Sequence, residues 1–407
     1  TRLRLGTTYL ALGDPLSAEK EILRARELGA AAQDVLVPLA QAWNEQGAYE
    51  RTLKEVVLDD TASEQHRTDA LVARGLAHLG LGQPQVAQTH LDEALAITPD
   101  DPSALVARAR LAMQQEDLEK AALLVDRAHA VAPEEAKVVE AKGSLALAAG
   151  RPADAVAAFE TLAARVPANF NYKMSLAQAL IANSQADAAL KTLDAMIRRA
   201  PKDPHVNYLA ALATYQMENF SAAKAYGQTV LDVAPDHLAT LLIVGGAHFG
   251  LGENEQAVVH LSSFVRRVPQ HEPARRVLGQ ALLRAGDPAG AQQVLQPLVH
   301  DKGASDAALL AMIGTAALRS GDLESSKTYF QWLAESQPEN AAARAQLGVV
   351  RLDLGEIEEG IADLETSVAQ DPSSGTLALL ASSYMRRGLR DKAMEAAQKL
   401  THEHPES

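Results

Sequence analysis

Apolar residues recur at helical spacing along the chain, and the stretch from His237 to Pro269 shows the pattern most clearly. A first run, which includes Leu241 and Phe249, stops at Gly252, and a second run around Leu261 continues to the proline. Each run has the period of an amphipathic helix with one apolar face. The pattern predicts two short helices joined by a turn. Such a pair cannot enclose a core alone, so it needs a neighbour of the same kind.

The pattern returns at a fixed interval, which for six successive prolines is 34 residues. A glycine or alanine recurs in the first run of twelve copies, from Gly6 to Ala381, where two helices can approach closely only if no bulky side chain intervenes. Most copies also carry glycine between the two runs, where a helix end favours positive φ. A fixed period of this size indicates a solenoid of stacked units. The prolines of the series are Pro99, Pro133, Pro167, Pro201, Pro235 and Pro269, and later Pro338, Pro372 and Pro405.

The period divides the chain into twelve copies, which we expect to form one continuous solenoid over residues 1–407 rather than several globular domains. Copy two lacks a closing proline after Leu58, which predicts a longer connection there. Copy nine has a second irregularity between Pro297 and Ala304. The predicted copies are 1–30, 34–64, 69–99, 103–133, 137–167, 171–201, 205–235, 239–269, 273–304, 308–338, 342–372 and 375–405.

Two segments show most clearly that the copies resemble a known family. Residues 246–252 read GAHFGLG and residues 278–288 read LGQALLRAGDP, and both are similar to the first helix and turn of the tetratricopeptide repeat. The likeness extends over the whole chain. It implies an all-α fold, a right-handed α-solenoid of about twelve helix–turn–helix units. It also implies a scaffold that holds its ligands on a concave surface lined by the first helices.

On each predicted first helix, residues at spacings of three, four and three form a stripe that does not pack against the second helix. Aromatic residues concentrate between Phe159 and Phe264, in the same copies. Aromatic faces beside amide and guanidinium groups suit a groove that grips a peptide or a sugar chain. The alternative is that Tyr208, Tyr215 and Phe249 fill space between neighbouring helices. The predicted partner-binding residues are Asn171, Gln178, Tyr208, Tyr215, Phe249, Arg276, Gln280 and Arg284.

Composition removes several classes of partner and site. The net charge is −14 and the acidic residues are scattered, so binding of DNA or RNA is disfavoured, since it needs a basic stripe. The chain has no cysteine and can form neither a disulfide nor a thiolate site. No apolar run is long enough to form a transmembrane segment. The sequence leaves the oligomeric state open.

Catalytic motifs are absent from the sequence. It contains no nucleophile elbow, no HExxH motif and no phosphate-binding loop. His402 and His404 form the one tight histidine pair, but no third ligand accompanies them, and a solvated helix end is the better interpretation. His248 and His260 fall in predicted helices and are interpreted as packing or surface residues. We therefore expect no catalytic residue, no metal, no cofactor and no enzymatic activity.

The opening of the chain is more specific than the repeats. Residues 5–30, LGTTYLALGDPLSAEKEILRARELGA, and residues 35–43, VLVPLAQAW, look like the start of the repeat region in the tetratricopeptide lipoprotein of bacterial PEP-CTERM/exosortase systems. Those lipoproteins are associated with exopolysaccharide gene clusters. The resemblance implies a periplasmic scaffold, anchored to a membrane through a region upstream of Thr1. We accordingly expect the chain to be a fragment of a longer protein.

Two main classes of function follow. The first is a non-catalytic interaction scaffold in exopolysaccharide or cell-surface protein biosynthesis or export, which binds a partner protein or the polymer in its groove. The second is the recognition arm of an enzyme, such as a glycosyltransferase, whose catalytic domain is absent. A third alternative is a cytoplasmic assembly adaptor. The absence of acid/base and nucleotide motifs favours binding over catalysis.

Overall fold

The computed structural model describes residues 1–59, 61–299 and 306–404. Across these residues the regular structure is helical and contains no strand, so the predicted all-α helical-repeat solenoid is confirmed. The chain forms two compact units, Thr1–Asn219 and Phe220–Ser407, and each is a stack of helices in its own right. None of the helices in the described ranges is long and apolar enough to cross a membrane.

The first unit consists of successive α-helices. They are α1 (Arg2–Ala11), α2 (Pro15–Glu27), α3 (Ala32–Glu45), α4 (Tyr49–Glu55), α5 (Glu64–Gly80), α6 (Pro84–Ile97), α7 (Pro102–Gln114), α8 (Leu118–Val131), α9 (Ala136–Ala148), α10 (Pro152–Arg165), α11 (Phe170–Ala182), α12 (Ala186–Arg199) and α13 (Pro204–Gln216).

The second unit continues the same pattern and includes one short 3₁₀-helix, Gln296–Leu298. Its α-helices are α14 (Phe220–Val233), α15 (Leu238–Gly250), α16 (Asn254–Arg267), α17 (Glu272–Ala285), α18 (Pro288–Leu295), α19 (Ala307–Ser320), α20 (Leu323–Ser336), α21 (Ala341–Asp353), α22 (Ile357–Gln370), α23 (Ser374–Arg386) and α24 (Arg390–Glu403).

Odd-numbered helices are the first helices of the predicted copies, and even-numbered helices are the second helices. Within each unit, a first helix packs against the second helix of its own copy and against that of the copy before it. Neighbouring first helices also touch, as α5 touches α7 and α15 touches α17. The apolar core follows the stack, so one cluster in the second unit runs from Leu231 to Ala316 through successive copies. This is a core without a centre, as expected for stacked repeats.

In copies that lie within one unit, a small residue on the first helix lets the second helix come close. A Cβ added to Gly143 would lie 2.7 Å from Cζ of Phe159, and one added to Gly245 would lie 2.8 Å from Cγ of Leu261. Both distances are shorter than real Cβ contacts, so a larger residue would force the helices apart. Phe159 is 2% exposed and Leu261 is 0% exposed. The steric role predicted for the small residues is therefore confirmed.

The turn between the two helices of each copy adopts a left-handed backbone conformation. Gly252 has a φ of +76°, and the glycines at the same place in eight other copies are also at positive φ. Three copies instead place Glu116, Ser184 and Glu218 there, at φ of 61°, 58° and 57°. Because these residues accept the conformation without glycine, the hairpin packing imposes the turn, and glycine lowers its conformational cost.

A loop that carries a periodic proline can be bound by a side chain near the end of the second helix in the copy that follows it. In the first unit, Arg127 Nη2 at the end of α8 donates a hydrogen bond to the Pro99 carbonyl at 2.8 Å. In the second unit, Gln370 Nε2 at the end of α22 donates to the Pro338 carbonyl, also at 2.8 Å. Carbonyls beyond a helix end have no helical partner, so these side chains satisfy them.

Copy two is irregular, as predicted. Its second helix, α4, has only 7 residues, whereas α6 has 14. Arg74 of α5 compensates for the early end, because its Nη1 donates to the Leu53 and Val56 carbonyls at 2.9 and 2.8 Å. Residue 60 of this longer connection lies outside the described residues.

Copy nine is irregular as well. Its second helix, α18, ends at Leu295 and is followed by the 3₁₀-helix. The predicted end of this copy at Ala304 lies outside the described residues, as does the closing Pro405 of copy twelve.

Within the first unit, copy one meets the start of copy six. Asn169 Nδ2 donates a hydrogen bond to the Ala11 carbonyl at 3.0 Å, and Asn169 is only 3% exposed. A Cβ on Gly13 would lie 3.0 Å from Asn169 Oδ1, so this turn approaches the asparagine closely. The same Oδ1 accepts from the backbone N–H of Asn171 at 2.9 Å and caps α11. The first unit therefore closes on itself after five copies.

We predict that Gly245→Ala lowers the free energy of unfolding by about 1 kcal/mol, because overpacking against Leu261 costs more than the helix-propensity gain of alanine. Gly375→Ala is the matched control, since Gly375 lies in α23 and a Cβ there would meet nothing within 4 Å. The control should be stabilised by up to about 1 kcal/mol. Urea denaturation of both variants gives the comparison. Equal stabilisation of the two variants would show that the helices can accommodate a methyl group beside Leu261.

Candidate functional site

The candidate binding surface is the first-helix face, defined as the side of the odd-numbered helices that points away from the paired second helices. The eight predicted partner-binding residues lie on four first helices, α11 and α13 in the first unit and α15 and α17 in the second. Asn171, Gln178 and Arg284 are exposed, and the other five are half-buried. Each unit therefore holds four of the predicted residues.

In the first unit, Asn171 and Gln178 lie about two turns apart along α11. The Asn171 side chain lies beside the turn of copy one, since a Cβ on Gly13 would be 3.1 Å from its Nδ2. Tyr208 and Tyr215 are half-buried on α13, and burial raises the pKa of the Tyr215 phenol. Each tyrosine is partly packed between helices and partly accessible to a ligand, so the space-filling and the groove interpretations both apply to it.

Carboxyl groups from separate first helices of the first unit act on one another electrostatically. Glu45 of α3 is exposed, yet the surrounding protein atoms desolvate its carboxyl and raise its pKa. A hydrogen bond from Gln41 acts in the opposite direction and is the smaller effect. Burial also raises the pKa of Glu140 on α9, against the charge of Arg110 on α7. The Tyr172 phenol on α11 has a raised pKa through burial and then through both carboxylates. First helices of copies two, four, five and six therefore lie within electrostatic reach of one another.

Sequence reasoning did not single out this group of interacting residues. Its residues come from copies that are far apart along the chain, and no local motif connects them. The closed shape of the first unit brings them together.

In the second unit, two predicted residues form one platform. The Arg284 guanidinium of α17 lies over the ring of Phe249 on α15, with Cζ 4.5 Å from the ring centroid. Phe249 packs against the core on its other side, and Arg284 is exposed. A cation over an aromatic face holds a flexible guanidinium in place. The platform therefore presents a fixed positive charge beside an apolar surface.

Arg276 is already bound within the protein. Its Nε donates to Glu272 Oε1 at 2.9 Å, and its Nη1 donates to Asp306 Oδ1 at 3.1 Å. The hydrogen bond with Asp306 raises the pKa of Arg276 and lowers that of Asp306. Asp306 in turn caps α19 by accepting from the Leu309 N–H at 2.7 Å. Arg276 thus links copies nine and ten.

Gln280 lies half-buried on α17, about one turn after Arg276. It shares this helix with Arg284, so three of the predicted residues follow one another along α17.

A pair of stacked histidines lies elsewhere in the second unit. The His248 and His260 rings stack with centroids 5.3 Å apart and an interplanar angle of 8°. His248 Nδ1 donates to Glu253 Oε2 at 2.5 Å, and Lys224 Nζ donates to Glu253 Oε1 at 2.8 Å. These groups line an open cavity of about 530 Å³. Burial, and then the neighbouring His248, lower the pKa of His260.

Copy three contains a similar stacked pair, with a glutamine amide in place of the glutamate carboxylate. His78 stacks on His90 at 5.3 Å and donates through Nδ1 to the amide oxygen of Gln83 at 2.7 Å. Both histidine pairs join the first helix of a copy to its second helix, so the interpretation of His248 as a packing residue fits its 8% exposure.

The described residues contain no group of three His, Asp or Glu side chains that could hold a metal ion. At the end of α24, His404 Nε2 donates to the Pro372 carbonyl at 2.6 Å. This histidine therefore binds the loop of its own hairpin.

Comparison with family models identifies the repeat. A tetratricopeptide repeat model matches residues 72–135, 140–204, 245–308 and 311–375, and a second one matches 378–407. These matches cover more than half of the chain, so the chain belongs to the tetratricopeptide repeat family. The repeats indicate a protein-interaction scaffold. No curated protein matches the chain.

Solved structures of similar architecture include a subunit of the APC/C hetero-tetramer Cut9–Hcn1, which is 14% identical, with 100% of this chain and 87% of that chain covered and a TM-score of 0.42. PilF of Pseudomonas aeruginosa is 18% identical, with 51% and 94% covered and a TM-score of 0.43. MamA AMB-1 is 19% identical, with 42% and 93% covered and a TM-score of 0.37. Such low identities and TM-scores carry no information on partner or role.

We predict that acid destabilises the protein partly through His260. Its pKa is lowered in the folded state, so below about pH 6.5 the unfolded chain binds the proton first. The contribution of neutral His260 to stability is fully present above that pH and is lost as the pH falls through the folded pKa. Urea denaturation at several pH values should therefore show that His260→Gln loses less unfolding free energy than wild type as the pH falls. His402→Gln, at the exposed end of α24, is the control and should keep the wild-type pH dependence. A His260→Gln profile identical to wild type would contradict the prediction.

Proposed function

We propose that this chain is a non-catalytic scaffold that holds a partner protein on its first-helix face. The observation that carries the proposal is the Phe249–Arg284 platform, where an apolar ring and an exposed guanidinium are held together on adjoining first helices. Aromatic and arginine side chains are the residues that most often dominate binding energy at protein interfaces. Membership of the tetratricopeptide family supports the same function.

The way each copy packs leaves this face available. Small residues such as Gly245 and the apolar groups opposite them occupy the side of the first helix that meets the second helix. The opposite side takes no part in that contact, and it carries Gln178 and Arg284 as exposed polar groups. The sequence contains no nucleophile elbow, no HExxH motif and no phosphate-binding loop, which supports binding rather than catalysis.

For the cellular setting we propose the periplasmic side of a PEP-CTERM/exosortase exopolysaccharide system, with a membrane anchor upstream of Thr1. The support is the resemblance of residues 5–30 and 35–43 to the opening of that lipoprotein's repeat region. In this setting the scaffold would position a protein of exopolysaccharide or surface-protein biosynthesis or export, with the polymer as a second candidate ligand.

Binding on the first-helix face is tested with a charged obstruction. Gln178→Arg together with Gln280→Arg places two bulky cations on first helices. Gln85→Arg together with Gln398→Arg makes the same chemical change at exposed positions of the second helices α6 and α24. We expect quantitative affinity purification from the native envelope to recover at least about tenfold less partner with the first-helix variant, a loss of about 1.4 kcal/mol. The second-helix variant should match wild type. Equal recovery with both variants would remove the first-helix face as the binding surface.

The proposed setting makes a separate prediction about the full gene. We expect an export signal and a lipid-modified cysteine upstream of the codon for Thr1. A downstream α/β catalytic domain would instead favour the recognition arm of an enzyme. A full-length product without an export signal, confirmed by fractionation of cells, would favour the cytoplasmic adaptor.

A further inference from the structure

Three arginines of the second unit occupy the same position in their copies. Each stands five residues after the small residue of its first helix, and five residues correspond to a rotation of about 140° around the helix axis. The small residue faces the second helix, so these arginines lie on the first-helix face. They are Arg284 on α17, Arg319 on α19 and Arg386 on α23.

These arginines differ from most other arginines around them. Arg276 is bound by two carboxylates, Arg267 is bound by Asp236, and Arg387, next in sequence to Arg386, is bound by Glu358. Arg284, Arg319 and Arg386 are exposed, and none of them makes an ion pair within the part of the chain that the structure describes. Three equivalent charges are thus left without a counter-charge on a face that the packing leaves available.

Copy eleven breaks the series with the opposite charge. Asp353, at the end of α21, stands five residues after Gly348 and is exposed, and it too makes no ion pair among the described residues. From copy nine to copy twelve, the first-helix face therefore reads positive, positive, negative, positive.

The spacing of this pattern suits an extended polypeptide. Neighbouring packed helices lie about 10 Å apart. A segment in the polyproline II conformation advances about 3.1 Å per residue with three residues per turn, so about three residues cover the step from one copy to the next. Every third side chain of such a segment points to the same side and would face each charge in turn.

We infer that the first-helix face of the second unit binds an extended protein segment whose side chains read acidic, acidic, basic, acidic at every third residue. The inference rests on the proposed function and specifies its partner. The negative position at Asp353 favours a polypeptide over an acidic polysaccharide. A uniform polyanion brings a like charge to that carboxylate, whereas a protein segment can place a lysine there.

The test uses the full chain and three labelled peptides of about twelve residues on a glycine–serine background. The ordered peptide carries Glu, Glu, Lys, Glu at every third residue. The scrambled peptide carries Lys, Glu, Glu, Glu, which has the same net charge and fits the face in neither chain direction. The uniform peptide carries four glutamates. Affinities are measured by fluorescence anisotropy at low ionic strength, where exposed charges are least screened.

We expect wild type to bind the ordered peptide at least about fivefold more tightly than either of the others. Asp353→Arg should reverse the order and bind the uniform peptide most tightly. Arg284→Glu with Arg319→Glu should abolish the preference for the ordered over the scrambled peptide, since each then matches two of the four charges. Arg266→Glu with Arg390→Glu changes the net charge equally, but on the exposed surface of the second helices α16 and α24, and should leave the preference intact. Circular dichroism checks that each variant is folded.

Equal affinities of wild type for the ordered and scrambled peptides would overturn the inference, as would an unchanged order in Asp353→Arg. Stronger competition by polygalacturonate than by the ordered peptide would assign the face to a glycan instead. The Gln178/Gln280 experiment separates this inference from the proposed function. If that variant loses its partner while the peptides are not discriminated, only the charge pattern is wrong. If the variant keeps its partner, the scaffold surface itself is wrong.

Discussion

In most copies a small residue on the first helix contacts a large apolar residue on the second helix, and this contact governs the geometry of the stack. Gly143 against Phe159 and Gly245 against Leu261 are two instances, and in both the partner stands 16 residues further along. Burying a side chain of this size contributes about 1.5–3 kcal/mol. Because the contact requires a fixed number of residues between its two members, it sets the helix lengths and demands a tight turn. Glu116 accepts a left-handed conformation in that turn for the same reason.

This packing also separates stability from recognition. One side of each first helix is committed to the second helix, and the other side can vary without disturbing the core. Phe249 belongs to both sides, since it packs on the core and supports Arg284. Arg276 shows that a position on this face does not make a residue available, because Glu272 and Asp306 already bind its guanidinium. Repeats of one architecture can therefore serve different partners through the residues that remain unpaired.

The two units use the same local rules with different results. In the first unit, the hydrogen bond from Asn169 to Ala11 joins copy one to the start of copy six, and burial raises the pKa values of Glu45 and Glu140. In the second unit, three arginines and one aspartate stand exposed at equivalent positions. Exposed charges of this kind contribute little to stability, which leaves them free to select a partner by charge.

The sequence predicts the repeat period, the helix pairs, the small-residue contacts and the irregular second helix of copy two, because each of these depends on residues within one copy or its immediate neighbour. It also placed Phe249 and Arg284 in one predicted site. The folded chain alone shows that Arg276 is internally bound, that His248 stacks on His260, and that Glu45 and Glu140 lie within electrostatic reach of each other. These contacts depend on how successive hairpins rotate, and small differences at each interface accumulate along the stack beyond what any local pattern encodes.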